Sequence, residues 1–183
     1  MKFFKLIFNK IYRKILESSF VHPNQYAKSR GVRFGSHCSF RTKQFGSEPY
    51  LIKMGDYVAT SVDVSFVTHD GAVSVIRQYD EKYKKIDLIK PINIGNNVFI
   101  GWGAIIMPGT TIGDNVIVGA GSVVKGELTN NSIYAGVPAK YICSLSEYIE
   151  KNEPLFLQTK HLNIVEKKKF LVEHFTQQLQ GNI

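Results

Sequence analysis

The sequence has little of what would mark a stapled, a metal-held or a membrane-spanning protein. It has two cysteines, Cys38 and Cys143, too few for a disulfide framework and too far apart for a metal-ligand spacing. They read as small buried thiols in a reducing compartment, which together with the missing leader makes the expected location cytoplasmic. No apolar run approaches the roughly 20 residues that a membrane span needs. The stretch from Met1 to Leu16 is apolar, but Lys5, Lys10, Arg13 and Lys14 interrupt it. Without an unbroken hydrophobic region or a small-residue cleavage site it is a poor signal peptide. Acidic residues are outnumbered, leaving a formal charge of +8. Such an excess suits nucleic acid, a membrane surface or an anionic small molecule. Neither an aromatic-rich basic motif nor a zinc-finger spacing accompanies it, so nucleic acid is not an expected partner.

The chain instead carries a period of six. From Ile94 a branched apolar residue returns at Ile100, Ile106, Ile112, Val118 and Val124. Glycine follows four of these, as Gly95, Gly101, Gly113 and Gly119. Four positions after each stands a small or apolar residue: Val98, Ala104, Thr110, Val116, Ser122, Leu128. A step of six is neither helical nor a simple alternation. It fits a short strand and a turn, repeated, with the aliphatic residue inward and the glycine tolerating a sharp corner. Three units close a triangular coil of eighteen residues, and residues eighteen apart then stack at strand spacing. The predicted stacks are Ile94 on Ile112, Ile100 on Val118, Ile106 on Val124, Gly101 on Gly119 and Gly103 on Gly121.

The rhythm is weaker upstream, through Met54, Thr60 and Phe66 with Val58 and Val64 between, and around Phe34, Cys38 and Phe40. Between Gly71 and Lys90 it stops. That charged stretch reads as a loop extruded from a coil corner, where insertions in repeat proteins leave. The predicted organisation is an N-terminal helical segment over 1–30, a solenoid over 31–143 with the extruded loop 71–90, and a helical tail over 144–183. Phe3, Phe4, Ile7, Phe8, Ile11 and Ile15 make a helical stripe opposite a basic face. This suits a cap on the solenoid or a subunit contact better than a membrane-surface helix. In the tail, Leu145, Tyr148 and Ile149 open one helix, Pro154 interrupts it, and Ile164 to Leu179 forms another.

The run from Ile92 to Lys125, with its Ile-Gly-Asn-Asn-Val-Phe-Ile-Gly-Trp-Gly core, and the following Ala135-Gly-Val-Pro-Ala-Lys140 resemble the hexapeptide-repeat acetyltransferases. The resemblance is nearest to the branch of galactoside, maltose, xenobiotic and capsule or O-antigen acetyltransferases. It covers Leu51 to Ile142 and is vague at both ends. It implies an all-β solenoid, a left-handed parallel β-helix with helical additions, and a homotrimer with sites between subunits. It implies acetyl-CoA as co-substrate, with no metal. Its general base is matched by His69 in Val67-Thr-His-Asp-Gly71. Imidazole suits the task, because a hydroxyl attacking a thioester must lose its proton near neutral pH. The CoA wall is matched by Trp102 and Ala120, eighteen apart, and by Lys125 and Lys140 at the anionic end. Trp102 stands where the galactoside enzyme has a small polar residue, and Phe99 where the family often has Trp. His22, His37, His161 and His174 sit in no motif and read as structural or surface residues.

The acceptor site falls in the least family-like part. Asp70, Arg77, Tyr79, Tyr83 and Phe99 are its candidates, with Asp70 serving either the acceptor or the turn. The partner of the second imidazole nitrogen stays open between another carboxylate and a backbone carbonyl. The expected function is acetyl-CoA-dependent O-acetylation of a sugar hydroxyl in surface polysaccharide synthesis. Two alternatives remain: N-acetylation of a nucleotide-linked amino sugar or xenobiotic, and a non-catalytic β-helix that serves as a binding module.

Overall fold

The computed structural model describes residues 21–180, with side chains to residue 177. The N-terminal apolar stripe therefore lies outside the described residues. After one short helix, α1 (Pro23–Ser29), the chain winds through strands of two to five residues. They are β1 (Ser39–Arg41), β2 (Ile52–Met54), β3 (Ala59–Val62), β4 (Ser65–Phe66), β5 (Ile92–Ile94), β6 (Val98–Ile100), β7 (Ile105–Ile106), β8 (Thr111–Ile112), β9 (Val116–Val118), β10 (Val123–Val124), β11 (Glu127–Leu128), β12 (Ser132–Ala135) and β13 (Lys140–Ser144).

Successive strands fall on three different sheets: β1-β3-β6-β9-β12-β13, β10-β7-β4 and β11-β8-β5-β2. Every pairing is parallel except that of β12 with β13. This is a triangular β-solenoid. The predicted stacks are present, with Ile94 paired to Ile112, Ile100 to Val118 and Ile106 to Val124.

The core is the two inward columns of the repeat. Ile100, Ile106, Val118 and Val124 are fully buried, and so are Ala104, Thr110, Val116 and Ser122 in the second column. Two of the column's polar members are satisfied locally. Thr110 donates to the Met107 and Val124 carbonyls and Ser122 to the Gly119 carbonyl, so neither loses a hydrogen bond on burial.

The glycines after the aliphatic residues serve a different purpose from the one expected. Gly95, Gly101, Gly113 and Gly119 do not adopt positive φ. Close approach of coils is what excludes a side chain there: a Cβ on Gly101 would sit 2.5 Å from the Ala120 nitrogen and 2.8 Å from the Val118 oxygen. The left-handed corner residues are elsewhere, at Gly103 and Gly121 and at Asn97, Asn115 and Asn131. Those three asparagines join coil to coil: the Asn97 amide donates 2.8 Å to Asn115 Oδ1, and the Asn115 amide donates 2.8 Å to Asn131 Oδ1. The distinction is measurable. Gly101→Ala forces backbone apart and should cost about 3 kcal/mol, whereas Gly103→Ala, with open space around it and φ of 67°, should cost about 1 kcal/mol. Chemical denaturation of the two variants checks the order. Equal or reversed midpoints would show that corner strain, not coil spacing, sets these positions.

The coils differ in length at both ends. Arg33 pairs with Lys53 and Gln44 with Ser65, so the first coil has two or three residues beyond eighteen. Val116 pairs with Ser132, so the last has two fewer. The segment expected as a plain loop contains the helix α2 (Val73–Tyr79) and a 3₁₀ turn at Glu81–Tyr83. Beyond the solenoid, α3 (Leu145–Asn152) starts on a reciprocal Ser144–Glu147 cap, whose hydrogen bonds pull the Glu147 carboxyl below its usual range. From Ile149 on, the described residues form a second compact unit, with a 3₁₀ turn at Glu153–Leu155 and α4 (Ile164–Gln180).

Candidate active site

The site begins where the period of six breaks. Val67 still follows the coil, its N–H donating 2.8 Å to the Ile106 carbonyl. Thr68 is fully buried, and its carbonyl accepts from the Lys90 N–H at 3.0 Å. His69 and Ile89 then form an antiparallel bridge, and the Asp70 N–H donates to the Leu88 carbonyl at 2.8 Å. The inserted segment thus leaves and returns through a two-stranded neck, with His69 at its root. Asp70 turns away: its Oδ1 accepts from the Ala72 N–H at 2.9 Å, which makes it the turn residue that starts α2.

Both ring nitrogens of His69 face carboxylates. Nδ1 lies 3.2 Å from Oε1 of Glu48, and Nε2 lies 3.7 Å from Oδ1 of Asp87. Glu48 is the better-held partner, because its Oε2 accepts from the buried Thr68 hydroxyl at 2.8 Å and its side chain is 13% exposed. A carboxylate offers only lone pairs, so the single proton of the neutral ring belongs on Nδ1 against Glu48. That leaves Nε2 as a free base on the open side of the neck. Asp87 is pinned in turn. Arg77, from α2, donates from Nε to the Ile86 carbonyl at 2.8 Å and pairs through its terminal nitrogen with Asp87.

Of the remaining acceptor candidates, Tyr79 is exposed on the inserted segment, and Tyr83 stands under Lys82 with the ammonium 4.6 Å from its ring centre. Phe99 is elsewhere, half-exposed on the outer face of the six-stranded sheet. There it lines a groove of about 290 Å³ with Tyr57, Ala59, Ile117 and Leu145.

The expected CoA-wall residues divide between corners. Trp102 follows β6 and Ala120 follows β9, one coil apart, with the Gly121 N–H donating 2.7 Å to the Trp102 carbonyl. The indole N–H donates to Asp63 at 3.2 Å, which fixes the ring by its edge and leaves the side chain 61% exposed. Lys125 is exposed after β10, at the corner that carries His69. Lys140 is exposed at the start of β13, opposite Ala135. Within one chain the face of the three-stranded sheet therefore separates His69 from Trp102, a width of about 15 Å for five residues of strand. Two other histidines are engaged away from the site: His22 accepts from the Asn24 N–H, and His37 stacks on Tyr57. Burial pushes the Cys38 thiol up, which makes it a poor nucleophile.

Glu48 and Asp87 were not among the expected residues. Glu48 is one coil upstream of His69, but the longer first coil puts it twenty-one positions back instead of eighteen. Asp87 lies in Asp87-Leu-Ile-Lys90, which carries no motif.

Comparison with known proteins agrees with this architecture. Residues 91–126 match the family model "Bacterial transferase hexapeptide (six repeats)". The chain is 43% identical over 169 residues to Protein CapG of Staphylococcus aureus, covering 91% of this chain and 95% of that protein. It is 30% identical over 143 residues to the galactoside O-acetyltransferase of Escherichia coli (strain K12), covering 77% of this chain and 68% of that enzyme. Among solved structures, a galactoside acetyltransferase in complex with coenzyme A superimposes with a TM-score of 0.53 and 26% identity, over 69% of this chain and 72% of that one. With its three-sided β-solenoid, its repeat of six and these relatives over most of its length, the chain belongs to the hexapeptide-repeat acetyltransferases.

Proposed function

We propose that the chain transfers the acetyl group of acetyl-CoA to a sugar hydroxyl of a surface polysaccharide or its precursor, with His69 as general base. The observation that carries this is the His69–Glu48 pair: one ring nitrogen is tied to a half-buried carboxylate, and the other is open at the root of the insertion. The acceptor hydroxyl gives its proton to Nε2 as its oxygen attacks the thioester carbon. The carbon–sulfur bond then breaks, and the CoA thiolate takes the proton back from the imidazolium. Glu48 keeps the ring in the right tautomer and offsets its charge while it holds two protons. A non-catalytic binding module has no use for such a pair.

The family implies a coil wound left-handed and a three-fold assembly, and the spacing of the residues supports the second. Trp102 and Ala120 stand about 15 Å from His69 across one face of the same chain. A neighbouring copy would bring its own Trp102 corner to this His69, with Lys125 and Lys140 meeting the phosphates of the donor. The half-buried outward Ile105 and Val123 on the intervening face suit such a contact.

The direct test is a screen of methyl glycosides, amino sugars and nucleotide sugars with acetyl-CoA, reading free thiol and product mass. An ester product, cleaved by hydroxylamine, is the expected result. An amide product would replace the proposed acceptor group, and thiol release with none of the acceptors would remove acetyl transfer to sugars altogether.

A further inference from the structure

Asp87 has no part in the proton transfer, yet it occupies the place where the acceptor must enter. Its Oδ1 is 3.7 Å from Nε2, the nitrogen left free for the attacking hydroxyl. It is not a loose surface charge. Arg77 holds the carboxylate through a terminal nitrogen, and Arg77 is itself fixed by the bond from Nε to the Ile86 carbonyl and by its place on α2. The half-buried guanidinium also balances the negative charge of the carboxylate. The root of the insertion therefore presents two acceptors side by side, an imidazole lone pair and a carboxylate oxygen, with both directions set by other contacts.

An ordinary carboxylate is too weak a base to take a proton from an alcohol while imidazole stands beside it. What it can do is accept a hydrogen bond from a donor that stays protonated. Two acceptors less than 4 Å apart are matched by two donors on adjacent carbons. The oxygens of neighbouring ring hydroxyls in a gauche relation sit somewhat closer together than Nε2 and Oδ1 do, so each can donate to one of the two. A trans-diaxial pair points in opposite directions and cannot reach both.

We propose that Asp87 makes this enzyme selective for vicinal diols: the hydroxyl to be acetylated donates to His69 Nε2, and its gauche neighbour donates to Asp87. This deepens the sugar-hydroxyl reading above and rests on it. The second bond orients the first, since a hydroxyl held at one side has its lone pair turned toward the donor thioester. Arg77 is a positioning residue that acts through Asp87.

The test uses the methyl glycopyranosides of glucose, galactose and mannose with the full chain and acetyl-CoA. The acetylated position is read by NMR for the best of them. Its monodeoxy analogues are then compared, one lacking the hydroxyl next to that position and one lacking a distant hydroxyl. Loss of the adjacent hydroxyl should lower kcat/KM by about ten- to a hundredfold, the range for a hydrogen bond to a charged group, while loss of the distant one changes it less than about threefold. In Asp87→Ala the penalty for the adjacent deoxy sugar should shrink to less than about threefold, and Asp87→Asn, which keeps an acceptor oxygen, should restore part of it. Asp87 is 51% exposed, so its removal leaves the core untouched, and CoA binding by calorimetry reports a folded donor site. Should Asp87→Ala slow all acceptors equally and keep the deoxy penalty, Asp87 only braces the neck and the diol assignment is wrong. Absence of transfer to every glycoside overturns the sugar-hydroxyl reading itself.

Discussion

His69→Ala should lower turnover by about 10²- to 10⁴-fold and leave the Kd for acetyl-CoA within about twofold. The size follows from the chemistry. Without imidazole the acceptor must lose its proton to water, and the leaving thiolate has no local acid. Donor affinity should survive because the proposed CoA contacts, at Trp102, Ala120, Lys125 and Lys140, do not include the imidazole. The fold should survive too: the ring is 30% exposed, and the neck is closed by backbone bonds of Thr68 and Asp70 that the substitution does not touch. Glu48→Ala acts through the ring, so it should lower kcat by a smaller factor, with KM nearly unchanged. Steady-state thiol release and calorimetry with CoA on each variant separate the effects. A folded His69→Ala protein with wild-type turnover would end the mechanism proposed here.

The sequence carried the solenoid because its cause is periodic. A residue buried in every coil must repeat at the coil length, so Ile100 and Val118 announce one another from eighteen positions apart. His69 was singled out by the resemblance, which matches the family's general base to the residue standing where the period stops. Glu48 was not, because a coil of altered length breaks the arithmetic that would have paired it with His69, and nothing in Ser47-Glu-Pro-Tyr50 records the extra residues. Helix α2 was hidden by its size. Seven residues give little periodicity, and Ala72 supplies no side-chain cap to mark the start. The glycines misled in an instructive way. Composition showed that a side chain was excluded at Gly101, but whether by φ or by a neighbouring backbone is a question of three-dimensional spacing.

Replacing residues 71–87 by a short Gly-Ser bridge should abolish transfer to sugar acceptors while leaving CoA binding within about tenfold. The cut falls inside the neck, so the Thr68–Lys90 and Asp70–Leu88 backbone bonds and the His69–Ile89 bridge remain to hold the imidazole. What goes is α2, with Arg77, and the Asp87 carboxylate that Arg77 pins. The solenoid should stay folded. Shortening a closed loop changes the chain-closure entropy by less than about 1 kcal/mol, and Val73 is the one large apolar side chain of the segment that is buried. The proposed donor wall at Trp102, Ala120, Lys125 and Lys140 contains no residue of the segment. Acceptor and donor recognition should therefore come apart in a single variant. The competing account makes the segment an arm that grips a neighbouring copy. Its exposed Val75, Ile76 and Tyr79 give that account substance. The two differ in what is lost together. An arm takes the assembly, CoA binding and transfer away at once, because the proposed site is completed by the Trp102 corner of a neighbouring copy. An acceptor lid takes away transfer alone. Light scattering and CoA calorimetry on the bridged variant decide: a monomer that no longer binds CoA would make α2 an assembly element, and a trimer that binds CoA but leaves sugars unacetylated would make it the floor of the acceptor site.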